Sequence, residues 1–159
     1  MKRVTCIMFL VLGLVTVIFG PARTTAANGD VTVTGAATAT FAQGAVLGSV
    51  ALKTLEVGTG VFIGPDGAAN GVYSAVLTGR SLLGQSQQIT IDGKVLSGEV
   101  APDGRVYFNG VATINLGKGT PSISGVPFNV SATSNTMSLT IDSTPLPAAQ
   151  LASGNISIN

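Results

Sequence analysis

The sequence predicts an all-β protein: a single antiparallel β-sandwich, or a partly open barrel, of about eight to ten strands with tight Gly-containing hairpins. Three observations support this. Apolar and polar residues alternate with period 2, Gly, Asp and Pro separate the alternating segments, and no segment after residue 27 keeps a helical period. Since 45% of the residues are hydrophobic and only 9% are charged, the chain can build a core and lacks the composition of a disordered segment.

The N-terminus has the pattern of a secretory signal peptide. Lys2 and Arg3 precede an apolar run over residues 7–19, and the small residues that a signal peptidase requires follow it. The run is shorter than the roughly 20 residues of a membrane-spanning helix, although an uncleaved membrane anchor is the alternative. We therefore predict a cleaved signal peptide over residues 1–27 and a single all-β domain over residues 28–159.

The composition of the predicted domain restricts its chemistry. Residues 28–159 contain no Cys, His or Trp, so neither a disulfide framework nor a zinc site of Cys and His ligands can hold the domain together. Basic residues are few and scattered along the chain, so the sequence predicts no basic patch for nucleic acid or anionic lipid. We expect no cofactor, no metal site, no nucleic-acid partner and, after signal cleavage, no stable insertion into a membrane.

Alternation marks the strands in chain order. In residues 31–41 the odd positions hold Val, Val, Gly, Ala, Ala and Phe, and Thr fills four of the even ones, which is the pattern of a half-buried strand. The same alternation recurs in residues 105–116, 126–133, 137–142 and 155–159. Over residues 147–153 we expect one short helical turn at most.

Three short segments have the chemistry of turns. The Asp-Gly pair at 92–93 suits a two-residue hairpin, because Asp and Gly tolerate the positive φ of a type I′ turn. The segments 64–67 and 102–104 combine a Pro that presets φ with an Asp that bonds the backbone and a Gly for the left-handed position. With turns at 92–93 and 102–104, residues 89–116 should form a three-stranded meander with Phe108 on its inward face.

The titratable and nucleophilic residues form no recognisable catalytic motif. Since residues 28–159 contain no His or Cys, a Ser nucleophile there would need a Lys base, and no Ser-x-x-Lys spacing occurs. A glycosidase needs two carboxylates about 5 to 10 Å apart. Glu56 and Glu99 are the candidates, and we interpret both as outward-facing strand residues. We therefore predict that the protein is not an enzyme and has no catalytic, cofactor-binding or metal-binding residues.

These exclusions leave a secreted or cell-surface β-domain with a structural or interaction role, such as a surface, matrix or adhesion module. The alternative is an extracellular ligand-binding module for a carbohydrate or a small apolar molecule. Tyr107 and Asn109 are the candidate ligand-binding residues, because an aromatic face beside an amide suits a sugar ring. The expected partner is a protein or carbohydrate at the cell surface, and a homo-oligomer through sheet edges is left open. The expected location is extracellular, cell-surface or periplasmic.

Overall fold

The computed structural model describes residues 29–117 and 119–159, and in these residues ten strands form one antiparallel sheet. The all-β prediction is confirmed for this part of the chain, which contains no helix. The predicted signal peptide, residues 1–27, lies outside the described residues. The strands are β1 (Val31–Phe41), β2 (Val46–Leu47), β3 (Val50–Ile63), β4 (Ala68–Ser81), β5 (Ser86–Val100), β6 (Val106–Asn115), β7 (Ile123–Ala132), β8 (Thr136–Ile141), β9 (Thr144–Pro145) and β10 (Ala149–Ile158).

The sheet curls into a ring because β1 pairs with strands from both ends of the chain. Val33 lies opposite Val61 of β3 on one side and opposite Ile158 of β10 on the other. Around the ring the order is β1, β3, β4, β5, β6, β7, β8 and β10, and β8 and β10 share only two register pairs. Of the two predicted architectures, this single ringed sheet agrees with the partly open barrel and differs from the two stacked sheets of a sandwich.

The predicted alternation places the apolar side chains inside the ring. On β6, Val106 and Phe108 are buried, whereas Tyr107 and Asn109 point outward. Thr, Ser and Asn supply much of the outer face, so the uncharged polar composition is explained by the half-buried strands. Residues 147–153 contain no helical turn, which agrees with the expectation of one at most, because β10 begins at Ala149 and pairs with β1 and β8.

Two predicted turns are confirmed, and a third turn has the same backbone geometry. In the segments 64–68 and 101–105, the fourth residue donates its N–H to the first carbonyl, and the first N–H donates to the fifth carbonyl. The segment 81–85 between β4 and β5 makes the same two bonds. In each turn the fourth residue is a Gly with φ between 74° and 81°, the left-handed region that Gly adopts without strain.

The predicted hairpin turn at Asp92-Gly93 is wrong. Both residues lie inside β5, where Gly93 pairs with Tyr73 on one side and with Ala112 on the other. The segment 89–116 therefore contains two strands and one turn instead of a three-stranded meander. The reason for Gly at 93 is steric: a Cβ there would lie 2.7 Å from Cε1 of Phe128, so the ring packs directly on the Gly93 backbone.

Candidate functional site

A cavity of about 650 Å³ opens at one end of the ring. We call this the mouth end; it carries the turns after β2, β4 and β8 and the loop after β6. The opposite end, which carries the turns after β3, β5 and β7, is the far end. The volume lies in the range of roughly 300 to 1,000 Å³ that is typical of small-molecule pockets, and the mouth of a strand ring is a common place for one.

The walls of the cavity are inward-facing aliphatic side chains from four consecutive strands of the ring. Ile89, Ile114 and Ile141 are buried in the core and also line the cavity, and Val126 joins them from β7. They meet because each strand places every second residue inside the ring. The remaining described lining residues come from the rim and the loops: Leu47, Gly48, Ser49, Val50, Ser81, Gln87, Leu116, Thr120, Ile123 and Thr144.

Below the cavity, three aromatic rings close the interior. Phe128 follows Val126 by two residues on the same face of β7, which places it about 7 Å deeper. Its ring stacks on Tyr73 at 5.5 Å between centroids, and Phe108 meets Tyr73 edge-on at 5.7 Å. The Tyr73 hydroxyl donates to Sδ of Met137 at 3.5 Å, and burial raises the pKa of Tyr73 well above its ordinary value.

Ser49, Thr120 and Thr144 add hydroxyl groups at the rim of the cavity, and two further polar side chains, Ser81 and Gln87, have contacts that the structure defines. Oγ of Ser81 is buried and has no hydrogen-bond partner among the described residues. Nε2 of Gln87 donates to the carbonyl of Leu116 at 2.6 Å, which fixes the amide at the cavity wall. A buried hydroxyl without a partner is costly, and a ligand with an acceptor or donor at this position would satisfy it.

The described lining of the cavity is uncharged. None of the described lining residues carries a titratable side chain. Ser81 has no neighbouring base in this set that could activate it as a nucleophile. Within residues 29–117 and 119–159, no group of three or more Asp, Glu, His or Cys side chains could hold a metal ion. No helix in this part of the chain is long and apolar enough to cross a bilayer.

The sequence-predicted site residues lie on the other side of the sheet from the cavity. Tyr107 is 37% exposed on the outer face of β6, and Oγ of Ser97 donates to Oδ1 of Asn109 at 2.8 Å. Both residues line a depression of about 240 Å³ that continues over β7 to Ser131 and β8 to Thr140. The structure therefore groups Tyr107 and Asn109 with further polar side chains on this outer face, away from the apolar pocket.

Sequence reasoning did not predict the cavity or the role of Ser81 and Gln87. Alternation identifies Ile114 and Ile141 as inward-facing, but it does not show whether the space between them is filled. The register between strands and the size of every facing side chain decide this, and both depend on residues far apart in the chain. Comparisons of the chain with protein-family models, curated proteins and solved structures gave no match.

Proposed function

We propose that the protein binds a small, uncharged, largely apolar molecule in the pocket at the mouth end. The observation that carries this proposal is a largely apolar cavity of about 650 Å³ in which Oγ of Ser81 has no hydrogen-bond partner among the described residues. An apolar ligand gains free energy by leaving water, and one polar group on it can bond to Ser81 and fix its orientation. The ligand class is therefore a neutral hydrophobic compound with one or two hydrogen-bonding groups.

Because of the pocket, we favour ligand binding over the structural or interaction role that the composition indicates. That role stays a prediction, as does the absence of catalysis.

The proposed site of action is outside the cytoplasm, in the extracellular, cell-surface or periplasmic space. N-terminal sequencing of protein recovered from those fractions should find a chain that begins at Ala27 or Asn28, and an intact Met1 in a membrane fraction would contradict export by signal cleavage.

A filled pocket tests the binding proposal. Val126→Phe places a ring in the cavity, and Val111→Phe makes the same change on the outer face of β6, where Val111 is 41% exposed. Binding of the neutral fluorescent probe N-phenyl-1-naphthylamine should weaken about tenfold or more in Val126→Phe, because the new ring occupies the space that the probe needs. The Val111→Phe control should bind as the parent does. Equal binding by all three proteins, or no binding by the parent, would contradict the proposal.

Ser81→Ala provides a second test with opposite effects on two measurements. Removing a buried hydroxyl for which residues 29–117 and 119–159 supply no partner should stabilise the free protein slightly, by up to about 1 kcal/mol in urea denaturation. The same change should weaken a ligand that bonds to the hydroxyl by about threefold to tenfold. A loss of stability in the free protein would show that Ser81 already has a partner and is not available to a ligand.

Carbohydrate binding by the outer face is the second candidate. The observation that favours it is the grouping of Tyr107 and Asn109 in one depression with Ser131 and Thr140. A glycan array probed with the parent and with Tyr107→Ala tests it, since an aromatic contact with a sugar ring should be lost in the variant. Binding that survives this substitution would place any glycan site elsewhere.

A further inference from the structure

Two adjacent leucines project from the mouth end without contacts that explain them. Leu82 is 87% exposed and Leu83 is 85% exposed, and both occupy the tip of the β4–β5 turn. The residue before them, Ser81, lines the pocket, so this tip stands at the pocket entrance. Val46 and Ile123, which are 55% and 51% exposed, add apolar surface to the same end. Exposed apolar side chains grouped at one end of a molecule are typical of an interaction site.

The turn itself does not require leucine. The two turns at the far end have the same hydrogen bonds and a Gly with the same left-handed φ, but their central residues are Pro and Asp. In both, the Asp side chain accepts a bond from the backbone two residues later: Oδ1 of Asp66 from Ala68, and Oδ1 of Asp103 from Arg105. The β4–β5 turn has no Asp at the equivalent position and exposes apolar surface instead. The backbone conformation of this turn therefore does not explain why both of its central residues are leucine.

Charge also differs between the two ends. Among the described residues, the mouth end carries Lys53 and Arg80 against Asp142, and all three are exposed or partly exposed. Lys53 and Arg80 are 27 positions apart in the sequence, but Ala51, two residues before Lys53, pairs with Arg80. The far end carries more carboxylates than cations, and its charged residues are Asp30, Asp66, Glu99, Asp103 and Arg105.

We infer that the mouth end docks reversibly on an anionic lipid surface, with Leu82 and Leu83 inserted among the acyl chains. Apolar side chains flanked by basic residues bind such surfaces by burying area and by attraction to the headgroups. The acidic far end is repelled, so the pocket entrance faces the lipid. This inference rests on the proposed function for its purpose: a hydrophobic ligand dissolves in a bilayer and would enter the pocket from there. It describes a peripheral contact and not a spanning segment.

Matched turn variants test the inference. The first replaces Leu82-Leu83 with Pro-Asp, the pair found in both far-end turns, which keeps the turn geometry. The second replaces Pro65-Asp66 at the far end with Leu-Leu, which adds the same apolar surface beside acidic residues. Every protein carries the same N-terminus, so that a contribution from residues 1–27 cancels. Sedimentation with vesicles of phosphatidylcholine alone, and of an equal mixture with phosphatidylglycerol, measures the partition coefficient.

We expect the parent to prefer the anionic vesicles, and salt should weaken the preference. The Pro-Asp variant should lose about tenfold or more in partition, because two leucine side chains no longer bury surface in the bilayer. The far-end Leu-Leu variant should match or exceed the parent on phosphatidylcholine vesicles but show a smaller gain from the anionic lipid. Equal partition by the parent and the Pro-Asp variant would overturn the inference.

Two further measurements separate this inference from its alternatives. Val126→Phe, which fills the pocket, should sediment with vesicles as the parent does, so a failure of ligand binding is distinguishable from a failure of docking. Size-exclusion chromatography without lipid tests whether the leucines instead join two copies of the chain. A dimer that the Pro-Asp variant abolishes would overturn lipid docking in favour of self-association, whereas a monomer in both proteins agrees with it.

Discussion

The two halves of the ring interior share one sequence pattern but are filled differently. In the far half, Phe108 and Phe128 both pack against Tyr73, and all three side chains are buried. In the mouth half, the inward positions of β5 to β8 that line the cavity of about 650 Å³ hold branched aliphatic residues, such as Ile89 and Ile114. Aromatic side chains reach further across the ring than Ile does. The size of the inward residue, and not the alternation, therefore separates the stabilising half from the half proposed to bind a ligand.

Close packing in the far half depends on one small residue. The Phe128 ring lies over Gly93, where the absence of a Cβ lets it approach the backbone of β5. This contact lets Phe128 stack on Tyr73 at 5.5 Å. A glycine inside a strand is otherwise unfavourable, so its presence here marks a close approach. The mouth half has no comparable aromatic ring among the described lining residues of its cavity.

The largest expected effect is the loss of an aromatic ring from the far half. Phe108→Ala should lower the free energy of unfolding by about 3 to 5 kcal/mol, because it empties a fully buried site. Tyr107→Ala, the neighbouring residue on the outer face, should cost less than about 1 kcal/mol. Urea denaturation of both variants measures the difference. Similar costs would show that the outer face of β6 is covered by a partner, which would weaken the distinction between inside and outside.

Gly93→Ala should come next, at roughly 1 to 3 kcal/mol, because the new Cβ would overlap the Phe128 ring. The ring cannot move freely, since it is buried against Tyr73. In a Phe128→Leu background the same substitution should cost at least about 1 kcal/mol less, and a double-mutant cycle measures this coupling. Additive costs would show that Gly93 is needed for its backbone conformation and not for the aromatic contact.

These residues show how far the sequence predicts the fold. Alternation correctly assigned the inward face of β6, and the Pro-Asp-Gly chemistry correctly placed the turns at 64–67 and 102–104. Both signals are local, because side-chain direction and turn conformation depend on adjacent residues. The same local logic failed at Asp92-Gly93. There a long-range contact with Phe128 explains the glycine, and this contact is invisible without the register of the strands.

The candidate pocket depends on still longer-range information. Its wall joins Ile89, Ile114 and Ile141, which only the pairing of β5 through β8 brings together. The ring closes because β1 pairs with both β3 and β10, and no local pattern predicts that second pairing. The β4–β5 turn is a further case. Its Leu-Leu tip lacks Pro and Asp, so its sequence does not predict a turn. Its two backbone hydrogen bonds are nevertheless the same as those of the two predicted turns.

A smaller effect, about 1 kcal/mol, is expected for Gly104→Ala in the β5–β6 turn. Gly104 has φ of 80°, and a Cβ there would meet no atom within 4 Å, so the cost comes from backbone conformation alone. Gly93→Ala tests a steric cause instead, since Gly93 has no left-handed φ and a Cβ there would overlap the Phe128 ring. Thermal unfolding of both variants compares them. A cost at Gly104 that disappears in an Asn substitution, which tolerates this region, would support the conformational cause, and an equal cost would contradict it.

The smallest effect at neutral pH is expected for Tyr73→Phe, because the hydroxyl that it removes bonds only weakly to the Met137 sulfur at 3.5 Å. We expect a change of less than about 1 kcal/mol in the free energy of unfolding at pH 7. The variant keeps the ring contacts with Phe108 and Phe128 that close the far half. A large loss at pH 7 would show that the hydroxyl, and not the ring, organises this part of the core.

At alkaline pH the Tyr73 hydroxyl should have a measurable effect on the free energy of unfolding. Burial raises the pKa of Tyr73 above its ordinary value of about 10, so the stability that the neutral hydroxyl contributes is fully present below about pH 10. Above that pH the unfolded chain loses the proton while the folded chain retains it. The free energy of unfolding should then fall by about 1.4 kcal/mol per pH unit. Tyr73→Phe should remove this part of the decline, whereas Tyr107→Phe should leave it in place. Parallel declines in parent and Tyr73→Phe would mean that the far half admits water to Tyr73 and is no better closed than the mouth.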